Sequence, residues 1–344
     1  MAFAFLDSSM QLFFSFIIPV YNRPDEVKEL LESLAHQAFE EDFEVVIVED
    51  GSSIPCEDIC NEYADRLTIS YIFKPNSGPG ASRNYGMSKA KGNYFIVLDS
   101  DCILPPQYLA EAKKALEKSF IHCYGGPDAA HPSFSKVQKA INYAMTSFLT
   151  TGGIRGNKNA VGKFQPRSFN MGISKEAYEA TQGFGNIHPG EDPDLTFRIW
   201  EKGYETRFLE KAYVFHKRRI DWNKFYIQVN KFGMVRPILN LWHPHTAKIT
   251  YWFPTLFCLA FLGSIAVLAF GIIWPITFFI GYFIVLVIDS FIRNKKIGVA
   301  LLSLMAVWIQ FIGYGYGFLK STLSLKLKKA KPEEIFPKLF FKKG

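Results

Sequence analysis

Among the places where this sequence sets carboxylates close together, three could act on one chemical group, namely Glu49-Asp50, Asp99-Ser100-Asp101 and Glu191-Asp192-Pro193-Asp194. Two hard oxygen donors spaced like Asp99 and Asp101 suit Mg2+ or Mn2+ bridging a diphosphate, although an isolated pair of this kind also makes an ordinary polar loop. In the third cluster a carboxylate is placed to accept a proton from a hydroxyl during group transfer. The same residues also fit the start of a helix, with Asp192 as its cap and Asp194 in its first turn. Spacing does not choose among Glu191, Asp192 and Asp194. His216 follows Ala212-Tyr-Val-Phe215 and precedes the basic triplet 217–219. It is a candidate to complete an oxygen-rich metal site, and a lone histidine beside a strand is also a common structural residue.

The elements that must carry these groups read as an alternating α/β unit. Apolar runs at 14–20, 43–48, 67–73 and 94–98 predict strands, and helix-period segments at 25–37, 57–65 and 81–89 fall between them. That alternation predicts crossover connections and a mainly parallel sheet. Asp50, Asp99 and Asp101 then lie beyond the carboxyl ends of strands, where open α/β sheets bind ligands, although Asp50 serves equally as a turn former. Neither a GxxxxGK[ST] phosphate loop nor a GxGxxG after the first strand is present. Instead Asn76-Ser-Gly78-Pro-Gly80-Ala-Ser-Arg83-Asn84 forms a glycine-containing entry to a helix, whose amides and Arg83 could face a phosphate or simply make a cap.

Composition narrows the classes. The five cysteines are scattered without a CxxC pair, which argues against a disulfide scaffold or zinc knuckle and fits a reducing compartment. The formal charge of +7 is concentrated near the hydrophobic end, and 320–343 holds eight lysines against two glutamates. This distribution favours an anionic membrane surface over nucleic acid as the partner. Residues 1–11 lack the basic stretch of a secretory signal, so the chain is expected to start in the cytoplasm.

The ordered set Pro19-Val-Tyr21-Asn22, Glu49-Asp50-Gly-Ser-Ser53, Asn76-Ser-Gly78 with Ala81-Ser-Arg83-Asn-Tyr-Gly86, Leu98-Asp99-Ser100-Asp101, Gly190-Glu-Asp192 and His216 resembles the family 2 glycosyltransferases of the GT-A fold, over 14–219. The resemblance implies a Rossmann-like domain binding a nucleotide-sugar, usually a uridine diphosphate sugar. It implies that Pro19, Tyr21, Asn22 and Asp50 hold the nucleobase and ribose, with Asn76, Gly78 and Arg83 alongside. Asp99, Ser100 and Asp101 then engage the diphosphate through Mg2+ or Mn2+, chiefly by Asp101, with His216 joining the metal or phosphates. Asp192 becomes the base of an inverting displacement. Gly125-Gly-Pro-Asp128 and Ser168-Phe-Asn-Met171 look like acceptor-side landmarks, and the glycine-rich 151–162 reads as a closing loop or an ordinary one.

Beyond the catalytic region, 220–248 is expected to be an interfacial helix or helix pair broken near Pro237. No Asp, Glu, Lys or Arg occurs in 249–288 or 297–319. The first stretch suits two membrane passes with a break at 271–275, and the second suits a third pass whose glycines Gly313, Gly315 and Gly317 permit close packing. Three passes put the lysine-rich tail, 320–344, on the side the positive-inside rule disfavours, whereas two keep it inside. The expected whole is an enzyme at the cytoplasmic membrane, its catalytic domain facing the cytoplasm, acting on a membrane lipid or lipid-linked glycan. A nucleotidyltransferase, a non-catalytic membrane scaffold and a processive synthase are the alternatives. The last is disfavoured because Gln228-Val-Asn-Lys-Phe232 does not match QxxRW.

Overall fold

The computed structural model describes residues 11–129, 134–152, 163–216 and 221–341. The closing-loop candidate 151–162, beyond its first two residues, and the basic triplet 217–219 lie outside them. In chain order the elements begin with β1 (Phe14–Val20), α1 (Pro24–Ala35), β2 (Glu44–Asp50), α2 (Glu57–Glu62), β3 (Thr68–Lys74), α3 (Pro79–Lys89) and β4 (Tyr94–Leu98). They continue through β5 (Cys102–Ile103), α4 (Tyr108–Lys118), β6 (Cys123–Gly125), β7 (Asp128–Ala129), α5 (Lys136–Thr146) and α6 (Phe148–Thr151). Then come β8 (Asn170–Ser174), α7 (Lys175–Thr181), α8 (Glu191–Glu201), β9 (Thr206–Phe208) and β10 (Val214–His216). The closing helices are α9 (Trp222–Trp242), α10 (Phe253–Leu268), α11 (Trp274–Asn294) and α12 (Ile297–Leu327). The chain forms two compact units: Met1–His131 with Lys163–Lys217 and Phe341–Gly344, and Pro132–Gly162 with Arg218–Phe340.

The first unit is built on a seven-stranded sheet in the order β3-β2-β1-β4-β8-β6-β9. Its first four strands are parallel, as the alternation predicts, whereas β8 runs antiparallel to both β4 and β6. The strands read as unbroken apolar runs because both faces are covered. Phe14, Phe16 and Ile18 of β1 join one core with Val27, Leu30 and Leu31 of α1 and Leu109 and Ala112 of α4. Ile17 and, from neighbouring strands, Val46, Val48, Phe95 and Val97 join the opposite core with Met87 of α3, Ala177 of α7 and Leu195 of α8. The period of two therefore sorts one strand's side chains between two helical layers. A small second sheet, β5-β10-β7, continues directly from the Asp99-Asp101 segment.

The second unit is helical. α10, α11 and α12 are long and apolar enough to cross a membrane by length and composition. Their large apolar side chains stand outward, with Leu262 61% and Phe278 73% exposed, a surface suited to lipid contact. The break between α10 and α11 falls at Gly271, where φ is +76°, within the expected interval. α9 corrects another expectation, since it runs unbroken through Pro237. Proline removes one helix hydrogen bond, but packing of α9 against α12 offsets that loss: Gly233 lies against the Tyr314 carbonyl, and Gly317 against the Asn230 carbonyl. The Asn230 side chain also donates to Gly313 O at 3.0 Å. α12 continues beyond its charge-free stretch through Lys320 and Lys326, so the basic tail begins as helix. Pro132–Gly162, including α5 and α6, clusters with these helices rather than with the sheet around it in sequence.

Candidate active site

The polar groups converge beyond the carboxyl ends of β1, β2 and β4. Pro19 is within β1, opposite Val48 of β2, and Tyr21 immediately beyond is 54% exposed. Asn22 adopts a left-handed φ of +54°, which asparagine tolerates better than most residues. Its Oδ1 accepts from the amides of Ser53 at 2.8 Å and Ile54 at 3.0 Å. Asn22 therefore clasps the loop after β1 to the loop after β2.

Asp50 ends β2 and is buried. Its carboxylate accepts the amides of Ser77 and Gly78, each at 2.9 Å, and pairs with Lys74. Asn76 donates to the Asp50 carbonyl at 2.8 Å. The loop expected to face a nucleotide is thus anchored on the aspartate expected to hold it. Gly78, at φ +91°, sets the turn into α3.

Arg83 projects from α3 and its side chain is only 4% exposed. One terminal nitrogen donates to Asp99 at 2.8 Å and the other to Glu191 at 3.3 Å. Its guanidinium also lies over the Phe184 ring, 5.3 Å from the centroid. A single buried cation thereby joins two acidic motifs. Ser100 is buried between the aspartates in sequence, and Asp101 pairs with Arg23 at 2.9 Å.

The third acidic cluster opens α8. Its N-cap is Gly190, with Glu191, Asp192 and Asp194 all in the first turn, where the helix dipole favours negative charge. Asp192 therefore does not cap the helix, contrary to the simpler sequence reading. Asp194 is taken up by Arg198, which donates from Nε at 3.1 Å and from a terminal nitrogen at 2.7 Å. Glu191 accepts from Arg83 and contacts His188 Nδ1 at 3.0 Å. Against a burial effect of opposite sign, His188 and Arg83 hold the Glu191 carboxyl well below the usual carboxylate range. Asp192 differs from both neighbours. Its Oδ1 is shut from solvent and has no hydrogen-bond partner among the described residues. Burial, then the Glu191 charge, push its carboxyl above the ordinary range against the opposing pull of Arg83, Arg167 and Ser168.

Among the described residues no three His, Cys, Asp or Glu side chains gather as a ready-made metal site. The backbone of His216 nonetheless pairs opposite Cys102, the residue after Asp101, through the β5–β10 ladder. The donor chemistry of Asp99 and Asp101 fits a hard divalent cation, and the guanidiniums of Arg83 and Arg23 already meet these carboxylates with positive charge. Sequence reasoning passed over Arg23, Lys74 and His188. Two of the partners are local in sequence, Arg198 four residues after Asp194 and His188 three before Glu191.

The chain carries an α/β sheet with an acidic strand-end motif, an amide-lined loop and carboxylates opening a helix, and comparison with known proteins gives this arrangement a family. Residues 15–180 match Glycosyl transferase family 2. A validoxylamine A glucosyltransferase of Streptomyces hygroscopicus subsp. jinggangensis is 36% identical over 126 residues, covering 34% of this chain and 30% of its own length. The poly(ribitol-phosphate) beta-N-acetylglucosaminyltransferase TarS of Staphylococcus aureus is 34% identical over 108 residues, covering 30% of this chain and 19% of its own. The chain thus spans a third or less of these relatives. The mannosyltransferase PcManGT of Pyrobaculum calidifontis, solved with GDP-Man and Mn2+, shares the fold at a TM-score of 0.56 and 14% identity, over 94% of this chain and 89% of its own.

Proposed function

We propose that this protein is an inverting glycosyltransferase that moves a sugar from a nucleoside-diphosphate sugar, a uridine diphosphate sugar by preference, to a lipid-linked acceptor, with Asp192 as general base. One observation carries this reading. Within a single helical turn Glu191 and Asp194 are held by cationic partners, whereas Asp192 keeps one buried oxygen without a partner among the described residues, and burial pushes its carboxyl above the ordinary range. A carboxylate in that state is the one suited to take a proton.

In the reaction Asp192 accepts the proton of the acceptor hydroxyl as its oxygen bonds to the anomeric carbon. The bond from that carbon to the diphosphate oxygen breaks on the opposite face, and the electron pair leaves with the nucleoside diphosphate. Asp99 and Asp101, with His216 as a further ligand, would hold a divalent cation, which would supply charge compensation for the departing diphosphate. Asp50, Asn76 and Gly78 shape the loop beside the nucleoside, with Tyr21 available to its base, while Arg83 fixes Asp99 and Glu191.

The names of the relatives and the GDP-Man and Mn2+ of the solved neighbour support a nucleotide-sugar donor. The apolar helices and basic tail support a place at the cytoplasmic membrane, with the catalytic unit in the cytoplasm and a polyprenyl-linked acceptor for surface glycan synthesis. Mass spectrometry of lipid-linked glycans from cells carrying the wild type or Asp192→Asn tests this reading. One sugar addition should vanish in the variant and its precursor accumulate. Unchanged glycans at equal protein level would refute the assignment.

A further inference from the structure

Phe341 lies far along the chain from every motif discussed, yet it belongs to the sheet unit. Its amide donates to the Asn186 carbonyl at 3.0 Å. Its ring lies 5.8 Å from the His188 ring at an angle of 53°. The same ring occupies the side of Gly78 where a side chain would stand, so a methyl group added there would overlap it. Phe341 therefore touches the loop that Asp50 anchors and the loop that leads into Glu191 and Asp192.

Those two loops are already drawn together. The Asn84 side chain donates to Phe184 O at 2.8 Å and accepts from Phe184 N at 2.7 Å. Gly80 approaches the Gly185 carbonyl so closely that a Cβ would meet it at 2.9 Å. Phe341 extends this seam one step outward, to Gly78 and His188. Gly78 turns its N–H toward Asp50 and its side-chain position toward Phe341. The ring thus backs the loop from a side other than the one Asp50 occupies.

We propose that Phe341 is a positioning residue of the donor site, whose ring clamps the 183–190 loop to the Asp50–Gly78 loop and so fixes the pocket that receives the nucleotide. The donor part of this proposal rests on the glycosyl-transfer reading, whereas the clamp itself does not. Glycine at 78 is required twice, for its positive φ and for the space the ring fills. His188 gains a fixed face, which keeps its nitrogen on Glu191.

The test uses the full chain in detergent or nanodiscs, as wild type, Phe341→Ala and Phe341→Tyr. Hydrogen exchange reads the amides of 77–80 and 186–191, and calorimetry reads UDP and GDP binding in the presence of Mn2+. Phe341→Ala should speed exchange in both segments and weaken nucleotide binding roughly 2- to 10-fold, the scale of one aromatic contact. Phe341→Tyr should restore both, because it keeps the ring and the half-buried site leaves its hydroxyl a way to water. Unchanged exchange in Phe341→Ala would overturn the clamp. Tighter nucleotide binding in that variant would overturn the proposal by making the ring an obstruction. If the wild type binds neither nucleotide while exchange responds as expected, the donor assignment fails and the clamp stands.

Discussion

Arg83 and Glu191, 108 residues apart in sequence, meet at 3.3 Å inside the protein, and the same guanidinium holds Asp99 at 2.8 Å. The helix α3 thereby fixes the distance between the acidic pair after β4 and the acidic turn that opens α8.

Replacing Arg83 by Met should remove the buried cation that joins Asp99 and Glu191, leaving Glu191 with His188 as its remaining named partner. Breaking a buried pair from one side costs about 3–5 kcal/mol. A clear drop in melting temperature is expected, together with loss of activity. Arg83→Lys should recover part of the stability, because one ammonium replaces the charge but not the two-armed geometry. Thermal scans of the purified variants measure both effects.

Asp192→Asn should separate activity from stability. Removing a general base costs about 10²- to 10⁴-fold in turnover, with nucleotide affinity little changed. The folded pKa of Asp192 is raised, chiefly by burial. Its contribution to stability is therefore complete below the unfolded value and is lost as pH rises through the folded one. The neutral variant should melt above the wild type at pH 8, and the gap should close on acidification toward pH ~4. Melting curves at several pH values check the sign.

The pH–rate profile should show an acid limb set by Asp192, above the range of an ordinary aspartate. Glu191 contributes none of it in that interval, because His188 and Arg83 keep it ionised to lower pH. His188→Gln weakens that hold, so the Glu191 pKa should rise while the Asp192 limb persists. Initial rates between pH 4 and 9 read this difference.

Gly317→Val should disrupt the helical unit rather than the chemistry. A Cβ at Gly317 meets backbone atoms of Asn230 and Met234, which cannot turn aside as a side chain can. Overpacking of this kind costs about 1–3 kcal/mol. Reduced recovery of monodisperse protein from detergent is the expected result, with Gly263→Val, where nothing lies within 4 Å, as the neutral comparison.

The parallel part of the sheet was legible because strands covered on both faces leave uninterrupted apolar runs, and the acidic motifs were legible because they sit at the ends of those runs. The antiparallel β8 was not, since Asn170–Ser174 is short and carries Gly172 and Ser174 among its residues. Pro237 suggested a break in α9 that tertiary packing overrides. In the site, spacing placed Asp192 among three equivalent carboxylates. Only the partners distinguish them: His188 meets Glu191 from three residues away, whereas Arg83 reaches it through the fold, across 108 residues. Phe341 carried no sequence signal, because nothing local ties it to Gly78.

The central claim is inverting sugar transfer with Asp192 as base, and anomeric NMR of the product tests it most directly. The full chain is supplied with Mn2+, a panel of carbon-13-labelled UDP- and GDP-hexoses, and polyprenyl-linked acceptors extracted from membranes. Wild-type protein should yield a lipid-linked sugar of inverted anomeric configuration and release nucleoside diphosphate, while Asp192→Asn should yield almost none. A retained configuration, pyrophosphate as the released product, or full activity in Asp192→Asn would contradict the account.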